Sequence, residues 1–237
     1  SIMAKHVDDV KIGGTRRTIE PIIARLERTF GKLKYHEKSF TNTGVRHNQL
    51  EDGSVETDQD EYLKALQPIV HQDLVGAPAD SDAPPSLQAL YMSLLGAMAY
   101  ALLTQFHLAV YVVSLQRQTQ KPKIIHIRRL NAVVRAAQRR PARVLYRAMV
   151  CLKQLECHSD SGFTKEQDKG YGIRGANFMR IGRDRRSSEL VKHLLDSQCR
   201  SHKTVTQSTF SSETLAAVGA ADELMPMALT LHEVYCG

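Results

Sequence analysis

The stretch Ser1-Ile2-Met3-Ala4-Lys5-His6-Val7-Asp8-Asp9-Val10-Lys11-Ile12-Gly13-Gly14 reads as a β-hairpin. Two short arms carrying apolar residues meet at Val7-Asp8-Asp9-Val10, where an Asp pair suits a tight turn. Both carboxylates then lie at the tip, and Gly13-Gly14 ends the second arm. A helix follows directly. Ile19, Ile22, Ile23, Leu26 and Phe30 recur at helical spacing, with Thr18 as the expected N-cap and Gly31 as the stop. That start puts Pro21 in the first turn, where its missing N–H costs least.

Working outward, residues 32–57 are strand-like with turns, and Asp52-Gly53 is a good hairpin signal. A short helix is expected from Asp58, with Glu61 at capping-box spacing, as far as Pro68. The segment 76–85 is too rich in Pro and small polar residues to pack, so it is expected to be a linker. Residues 86–140 are helical in pattern. Leu87, Leu90, Tyr91, Leu94, Leu95 and Met98 form one apolar stripe, and Ile127, Leu130, Val134 and Ala137 form another.

Past Pro141 the reading changes to strands at about 144–159, 171–181 and 190–206, broken by Gly170, Gly172 and Gly182-Arg183-Asp184. A last long helix is expected from Ser211 or Ser212, carrying Leu215, Val218, Met225, Leu229 and His232. Strands and helices in separate blocks make an α+β class. No internal repeat is visible.

With 237 residues, 42% of them hydrophobic, the chain has room for one large globular domain or two small ones. No stretch reaches the ~18 consecutive apolar residues of a membrane span, and the N-terminus lacks the basic-then-apolar layout of a signal peptide. The expectation is an intracellular protein, cytoplasmic or nuclear, neither secreted nor bound to a membrane. Cys151, Cys157, Cys199 and Cys236 are widely spaced, which points to reduced thiols rather than a zinc site or disulfide framework. There is no Gly-rich phosphate loop ending in Lys, and Gly13-Gly14 lacks the further glycine of a dinucleotide fingerprint.

The net charge of +7 is concentrated in one place. Between Ala83 and Leu155 there is no Asp or Glu, while eleven Lys and Arg residues fall there. Lys121, Lys123, Arg128, Arg135, Arg139 and Arg140 are the candidate phosphate contacts, and Arg128, Arg135 and Arg139 share one helix face. A block of one sign attracts nucleic acid through counterion release. A solvated face meeting an acidic protein partner would read the same way.

Two places put carboxylates where magnesium could use them. Adjacent Asp8 and Asp9 at a hairpin tip can share a divalent ion with substrate phosphates, although Asp is also a common turn residue. Asp160 stands at the end of an expected strand and Glu213 in the first turn of the last helix. If that helix packs over the sheet the two can converge on a metal pair, although a Glu there also complements the helix dipole. No role is assigned to Asp184.

Read in order, these elements resemble the polyprotein of copia-type retrotransposons. His6-Val7-Asp8-Asp9 is similar to the Tyr-Val-Asp-Asp hairpin of the reverse transcriptase. Ser93-Leu94-Leu95-Gly96, Tyr100 and Thr104-Gln105-Phe106-His107-Leu108-Ala109 resemble the family's next block, and Pro122, His126, Arg129 and Leu130 the helix after it. His158-Ser159-Asp160-Ser161-Gly162 resembles the Tyr-Ser-Asp-Ala-Asp start of the ribonuclease H domain. Thr209-Phe210-Ser211-Ser212-Glu213-Thr214-Leu215 resembles the family's Leu-Ser-Ser-x-Glu-Ala-Glu. The departures are His6 for Tyr, Gln105-Phe106-His107 for Arg-Pro-Asp, and Gly162 and Leu215 for second acidic residues.

The resemblance implies the end of a palm at 1–75, a linker at 76–85, a basic helical thumb or connection at 86–140, and a truncated ribonuclease H-like domain at 144–237. It implies an RNA-directed DNA polymerase with ribonuclease H, part of a transposable element whose DNA copy integrates. Its partners would be RNA template, DNA primer, RNA/DNA hybrid and the rest of the polyprotein. Asp8, Asp9, Asp160 and Glu213 become the expected magnesium ligands of two two-metal sites. In the family a third polymerase Asp precedes this region and further ribonuclease H carboxylates follow it, so both sets are expected to be incomplete and the segment alone inactive. The alternative is a non-catalytic nucleic-acid-binding remnant of a decayed or repurposed element.

Overall fold

The computed structural model describes residues 2–6, 9–162, 172–206 and 208–236. Strands β1 (Ile2–His6) and β2 (Asp9–Gly13) form the expected antiparallel hairpin, with Ile2 opposite Gly13 and His6 opposite Asp9. The turn residues Val7 and Asp8 lie outside the described residues, as does Gly170. Helix α1 (Arg16–Phe30) begins earlier than expected, with Thr15 as N-cap, so Pro21 lies inside the helix. Thr18 Oγ1 instead donates to Thr15 O at 2.8 Å within that first turn. Gly31 ends the helix at φ 84°, a left-handed value that glycine adopts without a Cβ clash.

The second sheet joins β3 (Ser39–Asn42), β4 (Val45–Gln49), β5 (Val55–Asp58) and β6 (Val144–Tyr146) in that order, all antiparallel. Its last strand comes from beyond the helical block, so the unit that begins at residue 32 closes only after residue 146. Helix α2 (Asp60–Ala65) follows β5, with Gln59 as N-cap. Asp58 Oδ1 still accepts from Asp60 N at 3.1 Å, and its Oδ2 pairs with Arg46 at 2.8 Å.

Helices α3 (Pro85–Ala101), α4 (Ala109–Gln116) and α5 (Ile124–Arg139) share one core with Leu63 and Ile69. Leu87, Tyr91, Leu94, Leu95 and Met98 of the expected α3 stripe are buried, while Leu90 is 43% exposed. Ile127, Leu130, Val134 and Ala137 of α5 are all fully buried. Asn131, on the same face, holds Ile69 at both ends: its Oδ1 accepts from Ile69 N at 2.7 Å and its Nδ2 donates to Ile69 O at 2.8 Å. The expected linker is packed. Its Ala79 and Ser81 carbonyls accept from Ile125 N and Ile124 N at 2.9 and 3.0 Å, satisfying first-turn donors of α5 that lack helical partners.

The third sheet is β7 (Met149–Gly162), β8 (Ile173–Asp184) and β9 (Leu190–Ser201), antiparallel, with β8 in the middle. Helix α6 (Thr209–Cys236) lies across it, seated by Ser212, Ala216 and Ala220. Small residues let it approach closely: a Cβ on Gly219 would collide with the Arg174 guanidinium, which donates to Leu215 O at 3.4 Å. Among the described residues α6 is the one helix long and apolar enough, by length and composition, to cross a membrane. It is not a continuous apolar run, since Glu213, Asp222, Glu223 and Glu233 fall along it.

Candidate nucleic-acid interface

The apolar face of α5 fixes where its arginines point. With 3.6 residues per turn, Arg128, Arg135 and Arg139 fall within about 40° of one another, opposite the buried stripe. All three are exposed, and so are Arg129 and Arg140. From Arg128 to Arg139 the row runs about 16 Å along the helix. Among the described residues none of these five arginines lies at ion-pair distance from a carboxylate. Arg128 Nη2 donates to Leu74 O at 3.2 Å and Ala77 O at 2.7 Å, and Arg139 Nε to Arg135 O at 3.3 Å, so two of the charges are held in place without being neutralised.

The rest of the basic block is used differently. Lys121 pairs with Asp82 at 3.2 Å. Arg143 reaches Asp60 at 2.8 Å and Glu56 at 3.5 Å, which ties β6 to β5 and α2 and holds its guanidinium above the usual range. Arg117 bonds Ser201 Oγ at 2.7 Å, joining α4 to β9. Lys123, half-buried, is the N-cap of α5, where its backbone N–H donates to His126 Nδ1 at 2.9 Å. The open positive surface of α5 is therefore the arginine row with Arg129 and Arg140 rather than the whole block.

Asp8 lies outside the described residues, and Asp9 opens β2. Asp160 is inside β7, not at its end, because the strand runs on to Gly162. It is exposed, and its Oδ1 accepts from Ser161 N at 2.9 Å. Side chains alternate along a strand. Ser161 faces α6, where its hydroxyl meets those of Ser212 and His202 Nε2, and Arg174 opposite it also reaches α6. Asp160 therefore projects from the other face of the sheet, away from the helix that carries Glu213. Among the described residues β7 is an edge strand. Among the described residues no three His, Cys, Asp or Glu side chains gather as a metal-binding group. Glu213 lies near the start of α6, half-buried, one residue after Ser212.

No protein-family model, curated protein or solved structure matches this chain.

Two polar clusters lie outside the sequence reading. Ser161, His202 and Ser212, at 7%, 5% and 0% exposure, form a hydrogen-bonded triangle joining β7, the end of β9 and α6. Burial, then the nearby Arg174 and Arg117, keeps His202 below its ordinary pKa, so the ring is neutral. Buried Gln59, Thr104 and Gln105 link α2, the turn after α3 and β6: Thr104 Oγ1 donates to Gln59 Oε1 at 3.0 Å, while Gln105 Nε2 donates to Ala142 O at 3.0 Å. Gln105 Nε2 also donates to Thr104 Oγ1 at 2.9 Å. No local sequence signal announces either cluster, since each is closed by bonds between distant residues, 41 and 51 apart in the first and 37 and 45 apart in the second. Asp184, left without a role, closes the β8–β9 turn by accepting from the backbone N–H groups of Arg186 and Ser187 at 2.8 and 3.0 Å.

Proposed function

We propose that this chain is a duplex-holding piece of a copia-type retrotransposon polyprotein, working beside the RNA-directed DNA polymerase and ribonuclease H activities of such a protein. The observation that carries the reading is the row Arg128, Arg135 and Arg139 on α5, exposed and free of carboxylate partners among the described residues. Such a row tracks phosphates along an RNA/DNA hybrid or a primer and its template, and it positions the duplex without reading sequence. The order of elements adds support: a hairpin whose second strand opens at Asp9, a basic helical block, then three antiparallel strands followed by a helix. On this reading the chain acts inside the cell, in the cytoplasm or nucleus, with the rest of the polyprotein as its partner.

RNA hydrolysis is not assigned to the chain, because Asp160 and the α6 face of the sheet point in opposite directions. Magnesium-dependent chemistry stays with the polyprotein as a whole, and the chain's own contribution is phosphate contact.

Salt titration of duplex binding tests the proposal. The logarithm of affinity is expected to fall with the logarithm of salt by about 0.9 per phosphate neutralised. Replacing Arg128, Arg135 and Arg139 together by Ala should weaken binding equally for unrelated sequences and reduce that slope by about 0.9 for each phosphate no longer neutralised. Since Arg128 also holds the Leu74 and Ala77 carbonyls, the Arg135→Ala, Arg139→Ala double variant is the cleaner control. Unchanged affinity and slope would overturn the assignment of this face.

A further inference from the structure

We propose that the cleft between the β7–β8 pair and the last turns of α6 binds a phosphorylated nucleoside. The cleft encloses about 240 Å³. It opens where β7 bulges: Cys151 pairs with Gly182 and Gln154 with Ile181, leaving Leu152 and Lys153 without partners in the ladder. Lys153 sits there at φ 55° and lines the cleft. Bulges re-aim side chains in this way and are common beside binding sites.

Arg180 is the fixed point. Its Nε donates to Cys151 Sγ at 3.0 Å, and its guanidinium lies 5.0 Å from the centre of the Tyr235 ring. Held from two sides, the group has lost most of its rotamer freedom before any ligand arrives, and its two Nη groups have no protein acceptor among the described residues. A planar fork with both ends open matches the oxygens of a phosphate or carboxylate. Lys153 and His232 line the same cleft, and among the described residues no Asp or Glu does. The last turn of α6 presents the negative end of its dipole, but that amounts to about half a charge against the two full charges of Arg180 and Lys153.

The apolar wall is formed by Ala228 and Leu231 of α6, with Leu155 beside Arg180 in the ladder. The space is several times what one phosphate would fill, given ~30 Å³ of liquid volume per water molecule. An anion with a flat apolar body uses both halves of the cleft: phosphate on Arg180 and Lys153, base on the leucine wall. This site is independent of the α5 arginines.

Calorimetric titration of the full chain with AMP, adenosine and inorganic phosphate tests it. AMP is expected to bind at least tenfold more tightly than adenosine and than inorganic phosphate. Arg180→Met and Lys153→Gln should each weaken AMP by about tenfold or more, the size of one charge-assisted hydrogen bond. Lys153 is exposed and outside the ladder, so its variant keeps the test valid if Arg180→Met fails to fold. The α5 triple variant is expected to lose duplex binding and keep AMP binding, which separates this site from the proposed interface. Competition by a 5′-phosphorylated dinucleotide would assign the ligand to a strand end, and its absence to a free nucleotide. AMP affinity unchanged in Lys153→Gln, or adenosine binding as tightly as AMP, would overturn the proposal.

Discussion

The hydroxyl of Ser161 on β7 meets the hydroxyl of Ser212 on α6, and His202 Nε2 bonds both, at 2.7 Å to Ser161 and 3.2 Å to Ser212. This buried triangle holds the helix to the sheet, and through the strand pleat it decides that Asp160 faces the other way. Ser161→Ala and Ser212→Ala should each lower stability by about 1–2 kcal/mol, because truncation leaves a buried polar partner unmet. Asp160→Asn should change it by less than about 0.5 kcal/mol, as exposed substitutions do. Thermal melts with and without magnesium check both points. A midpoint raised by magnesium and insensitive to it in Asp160→Asn would show that Asp160 binds the ion.

Stability should fall as the pH drops from 7.5 to 5. Burial first, then neighbouring positive charges, lowers the pKa of His202, His193 and His47 below 6.5, with Arg174, Arg180 and Lys11 the respective leading charges. Below pH 6.5 the unfolded chain takes up protons that these folded rings refuse. Stability present above that pH is therefore lost as the pH descends toward the folded values, and the loss levels off beneath them. A second decline is expected in more acid solution, where Asp52, Asp184 and Glu156 are held below their ordinary values of 3.8, 3.8 and 4.5 by hydrogen bonds to Ser54, to Ser187 and Arg186, and to Lys192 and His158. Denaturant titrations across this range, repeated for His202→Gln, should show a shallower first decline in the variant.

Two glycine substitutions should act with opposite signs. A Cβ at Gly96, inside α3, meets nothing within 4 Å, so Gly96→Ala should stabilise by about 0.5–1 kcal/mol through lower chain entropy when unfolded. At Gly182, in the central strand β8, a Cβ would lie 2.7 Å from Val150 O and collide with the Met149 side chain. Backbone cannot give way as a side-chain end can, and Gly182→Ala should destabilise by more than about 1 kcal/mol. Both are read from denaturation midpoints.

Features set by near neighbours were legible in the sequence. The β1–β2 hairpin, Gly31 as helix stop and the buried stripe of α5 all follow from alternation, turn chemistry or a 3.6-residue period. Features set by distant pairing were not. Val144-Leu145-Tyr146 reads simply as a strand, and nothing in three residues says that it joins β5 rather than β7. The segment 76–85 has a linker's composition, yet its carbonyls complete the first turn of α5. Asp160 shows the sharpest difference. A strand ending at 159 leaves it free to turn toward Glu213, whereas a strand continuing to 162 fixes its side by pleat parity, and parity inverts with one residue of register. The same distance effect hid the cleft, since Cys151 and Arg180 sit 29 residues apart with Tyr235 on another element.

Among the described residues β7 has a neighbouring strand on one side only, so a long run of amide and carbonyl groups faces outward. An open edge of this kind is a template on which extended peptide can recruit more of itself. Here the template is interrupted. Leu152 and Lys153 stand out of register, and Lys153 adopts a left-handed backbone that an added strand cannot follow. A growing ladder would have to begin at Gln154 and stop at Gly162. The bulge thus acts as a fence post: it limits how far one molecule can zip onto the next, and the charge that makes it a fence is the same lysine that looks into the cleft.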